Sequence, residues 1–220
     1  MDLVLDPAAK NLQRFKLSLP QIPVDYLPRP QIEAALEGHT HARVLLFSAP
    51  AGFGKTCALA YLAERRLQAG GAVAWLSLGP EDDEPSRFFL QLIEALGAVA
   101  PGLGADAQGY LRNAPQVPVA VVMESLLADL ARCARPLLLV LDDLHFICDP
   151  ELIASLDRLA WLAPEGFVLA IGSRARVPLR LATCRAHDLL LEIGPDELRL
   201  SCEETRDYLA SHGLELDDRA

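Results

Sequence analysis

The sequence has no long hydrophobic run, no basic block and no paired-cysteine spacing, and each absence removes a class of protein. Its apolar stretches, such as Pro136 to Leu141, fall far short of the roughly 20 residues needed to cross a bilayer. The opening residues Met1, Asp2, Leu3, Val4, Leu5 and Asp6 carry acid instead of base and lack a long apolar centre, so no signal peptide is visible. Thirty acidic against twenty basic side chains leave a formal charge of −10. Without a cluster of Lys and Arg to neutralise phosphates, the segment is a poor candidate for touching nucleic acid or an anionic membrane directly. The five cysteines, Cys57, Cys133, Cys148, Cys184 and Cys202, are odd in number and scattered. They read as the reduced thiols of a cytoplasmic protein and as small buried hydrophobes, not as disulfides or a zinc site. There is no internal repeat and no low-complexity tract.

What remains is an ordinary globular composition, 220 residues with 51% hydrophobic and 23% charged side chains, long enough for a sizeable core. Residues 1–28 form a lead-in punctuated by Pro7, Pro20, Pro23 and Pro28. A short amphipathic helix opens at Arg29-Pro30-Gln31 and ends at Gly38. Five apolar runs then suit buried strands: Val44–Phe47, Val73–Leu76, Leu137–Leu141, Phe167–Ile171 and Leu189–Ile193. Helical stretches separate them, one starting at Asp149-Pro150 with a capping side chain and a first-turn proline. Another starts at the capping box Ser201-Cys202-Glu203-Glu204. Residues 97–116, rich in Gly and Pro, read as a loop or irregular insertion. Runs of Leu, Val and Ile without alternation, interleaved with helices, predict one α/β domain with a parallel sheet covered on both faces. The domain is expected over 29–213, with 214–220 as a tail.

Ala49-Pro50-Ala51-Gly52-Phe53-Gly54-Lys55-Thr56 follows the first strand at once. It matches the phosphate-binding loop G-x-x-x-x-G-K-[ST] except that Ala49 replaces the first glycine. Gly52 and Gly54 allow the backbone to curl so that successive amides face phosphate oxygens, and the next helix adds donors and partial positive charge. Lys55 is placed to reach the β- and γ-phosphates, and the Thr56 hydroxyl to ligate Mg²⁺. Pro50, Ala51, Gly52, Phe53, Gly54, Lys55, Thr56 and Cys57 are therefore the candidate nucleotide-binding residues of this stretch. Average residue usage alone produces such a relaxed match in roughly 2% of chains this long, so the flanking strand and helix carry the assignment.

Leu137 to Asp143 is an apolar strand ending in two carboxylates. Paired acids there desolvate and repel unless a cation or solvent compensates. Asp142 is the candidate Mg²⁺ ligand beside Thr56, and Asp143 the group that orients or deprotonates the attacking water. Gly172-Ser173-Arg174 ends the fourth strand, on the edge where open α/β sheets bind ligands. Arg174 is the candidate reader of the γ-phosphate, with Arg176 close enough in sequence to be mistaken for it. His145 reads as a structural histidine, and Glu81 to Glu84 as a solvated loop and helix start where acids suit the dipole.

Together, Ser48 to Thr56, Val73-Ala74-Trp75-Leu76-Ser77-Leu78, Leu141-Asp142-Asp143-Leu144-His145 and Gly172-Ser173-Arg174 closely resemble the nucleotide-binding domain of MalT-like regulators. These are STAND-class signalling ATPases, often large LuxR-type bacterial transcription activators, and the resemblance covers most of residues 15–213. It implies a P-loop NTPase three-layer sandwich with a five-stranded parallel sheet of order 5-1-4-3-2. It also implies that Arg29, in the lead-in Pro23 to Pro30, lies near the adenine and phosphates. The implied activity is slow Mg-dependent ATP hydrolysis used as a cytoplasmic switch: ADP-bound and closed at rest, ATP-bound and self-associating once an inducer arrives. Inducer sensing and DNA binding would then belong to later domains, beyond Ala220. The chain departs from the family at Gly79, usually Asp, at Asp83, usually Asn, at Cys57, commonly Thr, and at Ala49. A constitutive P-loop ATPase or kinase-type enzyme is the alternative, and a scaffold keeping a vestigial loop is a third.

Overall fold

The structure, a computed structural model, describes residues 14–113 and 117–214. Helix α1 (Pro30–Gly38) starts with proline in its first turn, where the missing amide costs nothing. Strand β1 (Val44–Ser48) leads through the glycine loop into α2 (Lys55–Gln68) and then β2 (Ala72–Ser77). Helices α3 (Pro85–Val99), α4 (Ala105–Asn113) and α5 (Val119–Ala131) precede β3 (Leu137–Asp142). Next come α6 (Pro150–Leu162), β4 (Phe167–Ser173), α7 (Ala182–Ala186) and β5 (Leu190–Ile193). Two last helices follow, α8 (Pro195–Leu198) and α9 (Cys202–Ser211). The signals read from the sequence act as expected: Asp149 Oδ1 accepts from the amides of Glu151 at 2.9 Å and Leu152 at 3.0 Å. Ser201 Oγ likewise accepts from the Glu204 amide at 3.1 Å.

All five strands are parallel, in the order β2-β3-β4-β1-β5, which is the 5-1-4-3-2 order expected. β4 therefore runs between β1 and β3, with Ser48 beside Ser173, and Asp142 lies beside Ser77 on the far pair. The carboxyl ends of β1, β4 and β3 thus meet along one edge. All five strands bury residues on both faces, with only Glu192 of the edge strand β5 exposed, which explains the absence of alternation. Val44, Leu46, Leu139, Leu141 and Ile171 face a core shared with Phe88, Leu92, Met123, Leu126 and Leu156. Leu45, Phe47, Val140, Ala170 and Ile193 face a second core closed by Ala58, Leu59 and Ala63 of α2. Deleting such a buried leucine or phenylalanine costs about 2–5 kcal/mol. The lead-in belongs to the packed body from Leu17 onward: Leu17 packs on the first core, Leu19 and Ile22 on the second. Among the described residues no helix is long and apolar enough to cross a membrane.

Three expectations are corrected. Residues 97–113 are not an irregular insertion, because α3 continues to Val99 and α4 occupies Ala105–Asn113. Ala107 and Leu103 anchor this segment in the core, and burial outweighs the glycine and proline signals. Residues 114–116 lie outside the described residues. The acidic run is likewise not simply solvated. Asp82 is fully buried, paired with Lys16 and with Arg87 at 3.1 Å, and accepts from the Gln91 side chain at 2.8 Å and the Gly79 amide at 2.7 Å. Glu84 caps α3 through the amides of Ser86 and Arg87. Finally, all five thiols are free, but only Cys184 is buried, while Cys148 and Cys202 are exposed.

Candidate active site

The loop between β1 and α2 turns through two left-handed glycines, Gly52 at φ +86° and Gly54 at φ +77°, which an L side chain adopts only with strain. Gly54 is the N-cap of α2, and no acid sits in that helix's first turn, so the positive end of the helix is left for an anion. Lys55 is the first residue of α2. Its side chain turns back along the loop, and Nζ donates to the carbonyls of Ala49 at 2.7 Å and Pro50 at 2.9 Å. Burial pushes its amine below the usual lysine range, the neighbouring charge of Asp143 acting against this.

Across the sheet edge, Thr56 Oγ1 donates to Asp142 Oδ2 at 2.7 Å. Asp142 is 3% exposed. Burial raises its carboxyl above the ordinary value; the Asp143 charge adds to this, and the Thr56 hydroxyl and the Asp143 amide oppose it. A hydroxyl and a buried carboxylate converging on one point form the hard-oxygen donor pair that suits Mg²⁺. Among the described residues no three His, Cys, Asp or Glu side chains gather as a metal cluster, so the remaining ligands would have to be phosphate oxygens and water.

Asp143 has a left-handed backbone at φ +59°. That conformation costs an L residue roughly 1–2 kcal/mol, and strain of this kind collects at functional positions. Its carboxylate is 3.3 Å from Arg174 Nε and 3.7 Å from His145 Nδ1. Ala51, Gly52, Gly54, Lys55, Thr56, Asp143 and Arg174 together line a concavity of about 280 Å³. Arg176 does not line it. Larger cavities of about 490 Å³ beside α6 and 340 Å³ between α1 and α2 lie elsewhere, so chemistry and not volume singles out this site.

The other expected residues lie on or beside the loop, and of them only Ala51 lines the concavity. Arg29 is 9% exposed and donates to the carbonyl of Leu198 at 2.8 Å and of Leu27 at 3.2 Å. Its guanidinium stands over the Tyr26 ring, 5.7 Å from the centroid, and a Cβ on Gly54 would lie 3.3 Å from its Nη2. Arg29 therefore braces the loop from behind. Phe53 packs on the α2 core, Pro50 and Ala51 are exposed, and Cys57 is half-buried on the first turn of α2. Sequence reasoning passed over one feature, Gly172, where an added Cβ would fall 2.3 Å from Asp142 Oδ1; a glycine at a strand's carboxyl end is the available signal. His145, read as a structural histidine, stands 3.7 Å from Asp143 Oδ1, a contact that needs the turn that follows β3.

The strand–loop–helix, the sheet order and the acidic end of β3 define the class of fold: a P-loop NTPase-type α/β module. No protein-family model matches the chain. It is 30% identical over 193 residues to the HTH-type transcriptional regulator MalT of Cronobacter sakazakii, a match covering 88% of this chain and 21% of that protein. The chain thus spans about a fifth of that relative's length. Its fold is similar to Cdc6p from Pyrobaculum aerophilum, with a TM-score of 0.53 and 16% identity, covering 88% of this chain and 51% of the other. It is also similar to the Aeropyrum pernix Orc1 protein solved in complex with DNA, with a TM-score of 0.52 and 20% identity, covering 87% and 50%. Those two likenesses are of fold alone. The MalT-like character read from the motifs is borne out across most of the chain.

Proposed function

We propose that this chain is an ATP- and ADP-binding switch module that hydrolyses ATP slowly with Mg²⁺. The observation that carries this is the convergence of Thr56 Oγ1 and Asp142 Oδ2 at 2.7 Å beside the glycine loop, with Lys55, Asp143 and Arg174 lining the same concavity. The concavity is slightly below the roughly 300–1,000 Å³ of whole small-molecule sites, a size that suits the phosphate end of a nucleotide. Loop amides and the α2 N-terminus bind and orient the phosphates, and Lys55 exchanges its two carbonyl partners for phosphate oxygens. Arg29 and Cys57 border the remainder of the nucleotide. Mg²⁺, held by Thr56 and Asp142, would supply charge neutralisation across the β- and γ-phosphates. Asp143 orients or deprotonates the attacking water, and Arg174 leaves Asp143 to read the γ-phosphate.

The similarity to MalT supports a place within a signal-responsive, cytoplasmic transcription regulator, in which other domains handle inducer and DNA and the ATP-bound form self-associates. The test is thermal denaturation with and without Mg·ATP and Mg·ADP. Ligand at about 100 times its Kd adds roughly 2.7 kcal/mol, which at this chain length is a Tm rise of about 5–11 °C. Lys55→Ala abolishes the ATP-dependent part, and Asp143→Ala binds but turns over slowly. Absence of any shift in the wild-type chain refutes the reading; fast hydrolysis independent of inducer supports the constitutive enzyme instead.

A further inference from the structure

The acid after the buried Asp82 reaches across to the segment that carries Asp143. Asp83 Oδ1 accepts from two successive amides, Cys148 N at 2.8 Å and Asp149 N at 2.7 Å. These amides close the loop that begins at Asp143 and ends at the N-terminus of α6. The near end of that loop is held by β3 and by the Asp143 amide, which donates to Asp142 Oδ1 at 3.0 Å. Its middle is held by Leu144 and Ile147, each 1% exposed in the core. Its far end is held by Asp83.

We propose that Asp83 is a positioning residue for ATP hydrolysis, clamping the far end of the 143–149 loop so that Asp143 keeps its left-handed backbone and presents its carboxylate to the site. The proposal rests on the hydrolytic reading above. The left-handed turn at Asp143 persists only where surrounding structure over-determines it. The Asp143 side chain does not do this itself: its contacts with Arg174 and His145 are long, at 3.3 and 3.7 Å, and it is 26% exposed. The backbone therefore sets its direction, and the clamp sets the backbone. The clamp is a rigid reference. Asp82 on one side is buried and bound by Lys16, Arg87, Gln91 and the Gly79 amide. Glu84 on the other side caps α3. Because Asp83 lies far from the glycine loop in the chain, and its side-chain hydrogen bonds among the described residues go to Cys148 and Asp149 and not to residues lining the concavity, its loss acts on the attacking group and leaves phosphate binding in place.

The test uses the full 220-residue chain with Asp83→Ala and Asp83→Asn, the second keeping a carbonyl acceptor at the same position. ATP turnover and amide exchange at Cys148 and Asp149 are measured together. Asp83→Ala is expected to lower kcat by about tenfold to a hundredfold, the scale of a small misplacement of a reacting group. KM should stay within about threefold, and exchange at both amides should rise at least about tenfold. Asp83→Asn restores all three to near wild-type values. An unchanged kcat in Asp83→Ala, a KM that rises in step with the loss of kcat, or an Asp83→Asn as slow as Asp83→Ala each overturns the proposal. If Asp83→Ala does not fold, Asp83→Glu replaces it: the charge is kept and the oxygen displaced by a methylene, so a wild-type kcat overturns the proposal equally. A wild-type chain with neither turnover nor a nucleotide-dependent Tm rise removes the hydrolytic reading and this proposal with it. Turnover that Lys55→Ala abolishes and Asp83→Ala leaves intact removes the proposal alone.

Discussion

Replacing Gly172 by alanine tests the geometry of the site directly. A Cβ at this position would lie 2.3 Å from Asp142 Oδ1 and 2.8 Å from Leu59 Cδ1. Both are inside van der Waals contact, and both neighbours are packed: Asp142 is 3% exposed and Leu59 fully buried. Forcing a methyl into such a place costs about 1–3 kcal/mol. The carboxylate that must move also accepts the 2.7 Å hydrogen bond from Thr56, and losing a hydrogen bond to a charged group adds about 1.5–3 kcal/mol. A total near 3 kcal/mol, allowing for partial relaxation, lowers Tm by about 6–12 °C in a chain of this size. It should also weaken any Mg-dependent gain with ATP more than the gain with ADP. The control is Gly109→Ala, inside α4 with nothing within 4 Å of the added carbon, which should raise stability by about 0.5–1 kcal/mol. If Gly172→Ala melts within about 1 °C of wild type, the close approach of β4 to Asp142 is wrong, and the site argued from it goes too.

Asp142→Asn should stabilise the nucleotide-free protein while removing the Mg-dependent response. Burial, reinforced by the Asp143 charge, raises the Asp142 carboxyl above its unfolded value, so the native state holds the proton longer and stability falls as pH rises through that window. The variant's Tm advantage should therefore be present at pH 7 and close towards about pH 4; an equal gap at both pH values refutes it. Asp82→Ala has the opposite sign. Burial alone would raise Asp82, but hydrogen bonds from Lys16 and the Gly79 amide outweigh it and lower its carboxyl. Its contribution is present above the unfolded value and lost as pH falls, and at pH 7 its removal should cost about 1–3 kcal/mol, because Gln91 and the Gly79 amide lose their buried acceptor while Lys16 keeps its pair with Glu81. A loss below about 1 kcal/mol in chemical denaturation rejects the buried node. Arg174→Ala should barely alter Tm, because its pair with Asp143 is half-exposed at 51% and 26% and such pairs contribute about 0–1 kcal/mol. It should instead bring the affinities for ATP and ADP together; an unchanged ratio in titration calorimetry removes the role given to it.

The loop from Ala49 to Thr56 was legible without coordinates because its chemistry is local: two glycines, a lysine and a hydroxyl at fixed spacing follow an apolar strand and open a helix. The five strands were legible for the same kind of reason, since runs of Leu, Val and Ile without alternation mean burial on both faces. The Ser201 and Asp149 caps are likewise short-range signals. Burial across distant segments was not legible. Asp82 resembled a solvated acid until Lys16, some sixty residues earlier, was packed over it. Residues 105–113 resembled a loop because Gly and Pro signals dominate a window too short to show that Ala107 enters the core. The pairing order of the strands followed from resemblance, and the Thr56–Asp142 contact, the Arg174–Asp143 contact and the reach of Asp83 to Cys148 and Asp149 came only with the tertiary structure. A spacing pattern specifies which groups a short peptide can present in one direction, whereas the meeting of groups some thirty to ninety residues apart depends on how a parallel sheet is crossed, and that is decided by the packing of the whole chain.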